Sequence, residues 1–143
     1  MAKLKYANNI IKTGPGLPQM KGGPVLNQIL MLNGESVPGA FHVNCAWISP
    51  GPNPGVFPAH KHPHAEVIGF IGTNPDDPHD LGAVAELWIG DEKYTSDQSF
   101  MAYFPPNIIH CPLIVTDVKR PILHFDIQIV EGRPTFEWVK DKK

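Results

Sequence analysis

The chain has 143 residues, enough for one domain with its own core. Hydrophobic residues make up 42 %, which is ordinary for a globular protein, and a net charge of −2 gives no electrostatic reason to expect nucleic acid or an anionic membrane as partner. No run reaches the roughly 18 apolar residues of a membrane span, and residues 1–9, basic at the start, lack the apolar core of a signal peptide.

Cys45 and Cys111 do not make a disulfide framework, so the expected setting is the cytoplasm. Sixteen prolines and thirteen glycines, about a fifth of the chain, favour many short strands and turns over helices. Residues 1–24 carry Gly14-Pro15-Gly16, Pro18 and Gly22-Gly23-Pro24. They read as an extended arm, either a loose terminus or a segment packed on a partner subunit. Leu26 to Leu32 is a strand closed by Asn33-Gly34, and 41–48 is the next, ended by Pro50-Gly51-Pro52-Asn53-Pro54-Gly55. In the second strand Phe41, Val43, Cys45 and Trp47 share one face, read as core. His42, Asn44, Ala46 and Ile48 share the other, where the two polar residues read as a wet face or the lining of a polar cavity.

The most informative stretch is Pro58-Ala59-His60-Lys61-His62-Pro63-His64-Ala65-Glu66. Alternate side chains of a strand share a face, so His60 and His62 point the same way, close enough to grip one ion. Pro63 ends or bends that strand. The chain then turns, and Glu66 opens a new apolar strand, Glu66 to Ile71, where its carboxylate can fold back as a third ligand. Imidazole plus carboxylate suits a divalent transition metal such as iron, manganese, nickel, copper or zinc. His64 lies in the turn and reads as a solvated histidine, or as a replacement ligand.

The loop from Gly72 to Gly82 holds Asp76, Asp77, His79 and Asp80. Their spacing matches neither a calcium loop nor a zinc signature, so the prolines and Asx residues are read as making successive turns. Strands follow at 83–89, 92–95 and Phe100 to Phe104. Tyr103-Phe104-Pro105-Pro106-Asn107 then ends one run at two prolines, with Asn107 suited to a left-handed turn. A further strand, 110–115, opens with His110, which sits at a strand start as Glu66 does and can join it as fourth ligand. Cys111 should face the other way, as a core thiol. In the last long strand, 122–130, Leu123, Phe125, Ile127 and Ile129 read as core. His124, Asp126 and Gln128 face water or line a cavity mouth, His124 being read as structural rather than metal-bound. In the tail, 134–143, Phe136 and Trp138 alternate like an edge strand, although a helical turn would also fit.

At least eight short strands with almost no helix indicate an all-β sandwich or barrel. The two histidine stretches make the choice narrower, because the chain resembles the cupin superfamily. That family's first motif, Gly-(x)5-His-x-His-(x)3,4-Glu-(x)6-Gly, is matched by His60, His62 and Glu66, with Gly55 and Gly72 each one residue closer. Its second, Gly-(x)5-Pro-x-Gly-(x)2-His-(x)3-Asn, is matched by Pro105 and His110, with Asn107 in place of glycine and Ile114 at the final position. The resemblance implies a single cupin β-barrel (double-stranded β-helix, jelly roll) over 25–143 behind the extended arm at 1–24. It implies one divalent metal per chain inside the barrel, held by His60, His62, Glu66 and His110, and pairing into a homodimer, sometimes by exchange of an N-terminal strand.

Phe70, Trp47, Phe104, His124 and Gln128 are candidates to line the barrel. Among activities, the expectation is a metal-dependent enzyme, a dioxygenase or other oxidoreductase, acting on a small organic molecule. Isomerase or lyase chemistry, a small-molecule binding or sensing role with the metal as anchor, and a closed structural zinc site are the alternatives. Only Arg120 and Arg133 are available as arginines, so no buried arginine clamp is evident. No catalytic serine triad, phosphate loop or nucleotide fingerprint is present.

Overall fold

The computed structural model describes residues 4–12, 26–51 and 56–139. The arm expected at 1–24 therefore lies largely outside the described residues. Within 4–12 a single 3-10 turn spans Ala7–Asn9. Gly55 and the end of the tail, 140–143, also lie outside.

The described strands run in the order β1 (Leu26–Leu32), β2 (His42–Ile48), β3 (Val56–Phe57), β4 (His60–Lys61), β5 (Glu66–Ile71), β6 (Asp80–Ile89), β7 (Glu92–Gln98), β8 (Phe100–Phe104), β9 (His110–Thr116), β10 (Ile122–Gln128) and β11 (Glu137–Trp138). They form two antiparallel sheets. One has five strands in the order β1-β2-β10-β5-β8. The other has six described in the order β11-β4-β9-β6-β7, with β3 paired to β9. The fold is thus all-β. Turn chemistry sets most strand ends. Asn33 Oδ1 accepts from the Glu35 amide at 3.0 Å, closing the turn after β1. In the 72–82 loop, Asn74 and Asp77 side chains accept from the amides of Asp76 and His79, so these residues make turns as read. Strand β6 starts earlier than expected, at Asp80, because Asp80 Oδ1 accepts from the Gly82 amide and its other oxygen pairs with Arg120 and Asn74. In the tail, Glu137 and Trp138 form a two-residue edge strand directly after Phe136, not a helical turn.

The core lies between the sheets. Phe70, Phe104, Ile48, Leu81, Leu113, Ile122 and Val115 are its largest fully buried apolar members, each stabilising by roughly 1.5–3 kcal/mol through burial. The six-stranded sheet turns Leu81, Ala83, Ala85, Leu87, Leu113 and Val115 inward. His110 and Cys111 are both buried, where a regular strand would face them apart; Cys111 has φ 67°, which breaks the alternation. Cys111 joins the core, and neither cysteine is in a disulfide.

The five-stranded sheet reverses the expected assignment of faces. In β2, His42, Asn44, Ala46 and Ile48 are buried, while Phe41 and Trp47 are 48 % and 38 % exposed. In β10, His124 and Gln128 are buried, whereas Leu123, Phe125 and Ile127 are only half-buried. The reading of Phe41, Trp47, Leu123 and their strand-mates as core is corrected, and Trp47 does not line the barrel. The cause is register. Gln128 pairs with His42 on one side and Glu66 on the other, and Glu66 pairs with Phe104. Once Glu66 is inside, every residue in its row must be inside too. The outward residues still pack laterally: the Phe125 ring lies over Gly69, where an added Cβ would come within 2.2 Å of it.

Candidate metal centre

Four inward side chains meet at one end of the barrel. Glu66 comes from the start of β5, His60 from β4, His62 from the residue after β4, and His110 from the start of β9. Across the six-stranded sheet, Trp138 pairs with His60 and His60 with His110. One candidate ligand atom from each residue can be chosen so that all lie within 4.8 Å of one another, and all four side chains are buried. Among the described residues no other group of three or more His, Cys, Asp or Glu is so placed.

Backbone carbonyls fix how the three rings face. His60 Nδ1 lies 2.8 Å from Pro58 O, His62 Nδ1 2.7 Å from Thr135 O, and His110 Nδ1 3.0 Å from Ile108 O. A carbonyl accepts only, so each Nδ1 carries the proton and each Nε2 is left as a lone pair. The turn that bears His110 is joined to the first stretch as well: the Asn107 amide donates to His62 O at 2.7 Å, with Asn107 at φ 65°. Asparagine can do here what the family's glycine does, because it tolerates the left-handed region.

These lone pairs converge on a carboxylate. Glu66 Oε2 lies 3.0 Å from His110 Nε2 and 3.0 Å from His62 Nε2, the latter buried and without hydrogen-bonding geometry to any partner. Lone pairs pressed against a carboxylate need a positive charge among them. A single divalent ion with bonds of about 2.1 Å places neighbouring ligand atoms at right angles about 3.0 Å apart. The donor set, the tautomers and the spacing therefore fit one transition-metal ion. Burial pushes His60 down to about 4. Burial alone would raise Glu66, but a proton standing on His110 or His62 Nε2 in the place of an ion donates to the carboxylate, and these contacts outweigh burial and hold the carboxyl at about 2. The ligand set thus offers a neutral His60 and an ionised Glu66 without assistance at neutral pH.

The surroundings are aromatic on one side. The Phe104 ring stacks on His110 with centroids 4.0 Å apart. Phe136 and Trp138 lie 5.5 and 5.3 Å from His60, and Phe136 is 4.7 Å from His62. On the other side is a polar wall. His64 is not simply a solvated turn residue: it is half-buried, stacks on His62 at 5.1 Å, and its Nε2 bonds Gln128 Oε1 at 2.6 Å. Gln128 Nε2 bonds Asp126 Oδ2 at 3.1 Å, and that oxygen lies 3.2 Å from His42 Nε2. His64 stays outside the four-residue cluster. So does His124, which is buried four residues along β10 from Gln128, bonded to Gly69 O and stacked on Phe70. Burial lowers its pKa. The Thr135 carbonyl and the His42–Asp126 link went unforeseen, because backbone contacts and pairings 84 residues apart leave no local signal.

No protein-family model matches the chain, and no curated protein matches it. Solved structures do. An oxalate oxidase in complex with glycolate is 16 % identical with a TM-score of 0.56, over 90 % of this chain and 62 % of the other, so the chain spans about three fifths of that protein's length. An uncharacterised conserved protein with a double-stranded β-helix domain from Klebsiella pneumoniae is 16 % identical with a TM-score of 0.51, covering 91 % of this chain and 92 % of its own. A cupin 2 domain-containing protein from Halorhodospira halophila is 17 % identical with a TM-score of 0.52, over 82 % and 72 %. At such identities the likeness is one of fold, and with the two antiparallel sheets it identifies this chain as having the cupin double-stranded β-helix fold.

Proposed function

We propose that the chain is a metal-dependent enzyme, an oxidoreductase of the dioxygenase kind, that acts on a small organic molecule inside the barrel. The observation that carries this reading is the convergence of two imidazole Nε2 atoms on one carboxylate oxygen, each at 3.0 Å, with every Nδ1 of the three histidines committed to a carbonyl. His60, His62, Glu66 and His110 would hold one ion per chain, iron or manganese being the metals that suit redox work. Beside these four ligands such an ion would leave room for substrate or dioxygen and would supply Lewis-acid and redox chemistry. The chain's own residues do the remaining work. Phe104, Phe136 and Trp138 shield the rings from water, the carbonyls hold the ring tautomers, and the His64–Gln128–Asp126 wall orients what enters. The oxalate oxidase that shares this fold binds glycolate, which supports a small oxygen-bearing substrate. A cytoplasmic setting agrees with two free cysteines.

The test is elemental analysis of tag-free protein with oxygen-uptake screening. About one equivalent of iron or manganese per chain, lost in His110→Ala together with turnover, is the expected result. A metal-free protein overturns the reading. A stably held metal with a tightly bound, unchanged small molecule would point instead to a binding module.

A further inference from the structure

All four candidate metal ligands are buried, and His62 Nε2, one of the atoms an ion would bind, is closed to solvent. An ion arriving in water must therefore displace part of the cover. Most of that cover is firmly tied. Strand β5 is paired along its length by β10 on one side and β8 on the other. Strand β9 is paired with β6, and the turn before it is joined to the first histidine stretch by the Asn107 amide on His62 O.

The segment 135–139 is different. It covers the centre from the edge of the six-stranded sheet. Trp138 stands opposite His60, so Trp138 and Phe136, two residues before it, share the face of that histidine. Their rings lie parallel to one another, against His60 and His62. Thr135 O accepts from His62 Nδ1 at 2.7 Å. Yet little holds the segment down. Strand β11 is two residues long, with β4 as its neighbour, and the described pairing of β4 to β9 is the single match of His60 with His110. The Val139 amide adds one bond, to Ala59 O. The Lys61–Glu137 ion pair spans 3.6 Å with the Glu137 side chain 74 % exposed, and such a pair contributes little. Thr135, Phe136, Glu137 and Trp138 are all exposed. Short, exposed edge pairing opens well before a paired core does.

We propose that 135–139 is a strap over the metal centre, which lifts to admit the ion and on closing presents the Thr135 carbonyl to His62; this rests on the metal-centre reading above. Lifting takes away the acceptor that keeps the His62 proton on Nδ1, and removes both aromatic rings from the histidines. A closed strap therefore favours the ion, and by linkage a bound ion favours the closed strap to the same degree.

A reversible staple on the full-length chain tests this. Lys61 and Glu137 stand directly opposite one another, and paired Cα atoms of antiparallel strands lie about 4.5–5.5 Å apart, within reach of a disulfide. In the manganese-loaded double variant Lys61→Cys, Glu137→Cys, with the bond checked by thiol count, loss of manganese to a chelator slows about tenfold or more relative to the same protein under reductant. Reductant leaves the rate of the unsubstituted chain unchanged. Equal rates with the staple closed and open overturn the strap. Hydrogen exchange of the unsubstituted chain gives a second reading, independent of how the variant folds. In the metal-free protein the Trp138 and Val139 amides exchange about tenfold or more faster than those within β5 and β9, and manganese slows them. Exchange as slow as that of β5, or unchanged by manganese in a chain that retains it, overturns the strap. A chain that takes up no manganese overturns the metal centre, and the metal-free exchange rates still say whether the segment opens first, so the two failures are distinct.

Discussion

The two sheets of the barrel have opposite polarity. In the six-stranded sheet, aliphatic side chains of β6 and β9 face in. Outside lie ion pairs such as Glu86–Lys93 at 3.7 Å and Lys61–Glu137 at 3.6 Å. In the five-stranded sheet, His42, Asn44, Glu66, His124 and Gln128 face in, and Trp47, Leu123, Phe125, Ile127, Met101 and Tyr103 share the outer side. A wet interior wall is tolerated because nearly all of it is bonded: Gln28 to Asn44, His42 and Gln128 to Asp126, His64 to Gln128 and His124 to Gly69 O. Both sheets feed the core, the five-stranded one through Ile48, Phe70, Phe104 and Ile122, but only its inner face also carries a row of polar side chains. The metal centre lies where the sheets meet.

That division can be broken most severely at the seam. His60 and His110 belong to the six-stranded sheet and Glu66 to the five-stranded one, so an ion held by them ties the sheets together. His110→Ala and Glu66→Gln should each weaken metal binding by about a hundredfold or more, read as metal per chain after dialysis. Chelation should lower the melting temperature of the unsubstituted chain, since the ion binds the folded state alone. A melting temperature indifferent to chelator would show that the sheets do not depend on the ion.

The next effect separates the two sets of aliphatic residues. Leu113, 2 % exposed on the inner face of β9, should cost about 2–5 kcal/mol when changed to alanine. Leu123, half-buried on the outer face of β10, should cost clearly less in a single copy of the chain, by urea denaturation of dilute protein. Equal losses would mean that the outer face is as buried in solution as the core.

Alternation in the sequence separated His42, Asn44, Ala46 and Ile48 from Phe41, Val43, Cys45 and Trp47 correctly, yet assigned the wrong set to the interior. A period of two says which side chains travel together; it does not say which way they face. In β6 and β9 the aliphatic set faces in, and hydrophobicity points the right way. In β2 and β10 the interior is defined by Glu66, a residue on a different strand, and only the register reveals it. The four clustered residues were legible because three of them lie within seven residues and the fourth follows a proline turn, so local geometry carries most of the information. His64, by contrast, meets Gln128 across 64 residues, and nothing local to either announces it.

The outer apolar face raises a smaller effect. We expect two copies to pack these faces together, because aromatic and aliphatic residues in one unbroken set on β2, β10, β5 and β8, without a charge, suit an identical surface better than a charged partner. Trp47→Glu should shift sedimentation toward the single chain and leave metal content unchanged. A Trp47→Glu protein that sediments as the unsubstituted chain does would exclude this face as the pairing surface.

The smallest effect lies within β6, in the sheet that obeys hydrophobicity. Asp80 is held below the usual carboxylate range, first by the Asn74 side chain, then by the Gly82 amide and by Arg120. A depressed folded value means that the ionised form is favoured by folding. Its contribution is full above the unfolded aspartate value of about 3.9 and disappears as pH falls through the lower folded value. Asp80→Asn should therefore lower the melting temperature slightly at neutral pH, and the gap between the two proteins should close in acid. It stays small because the pair is more than a third exposed and water screens it. A gap that widened in acid would mean that Asp80 contributes through its backbone turn rather than its charge.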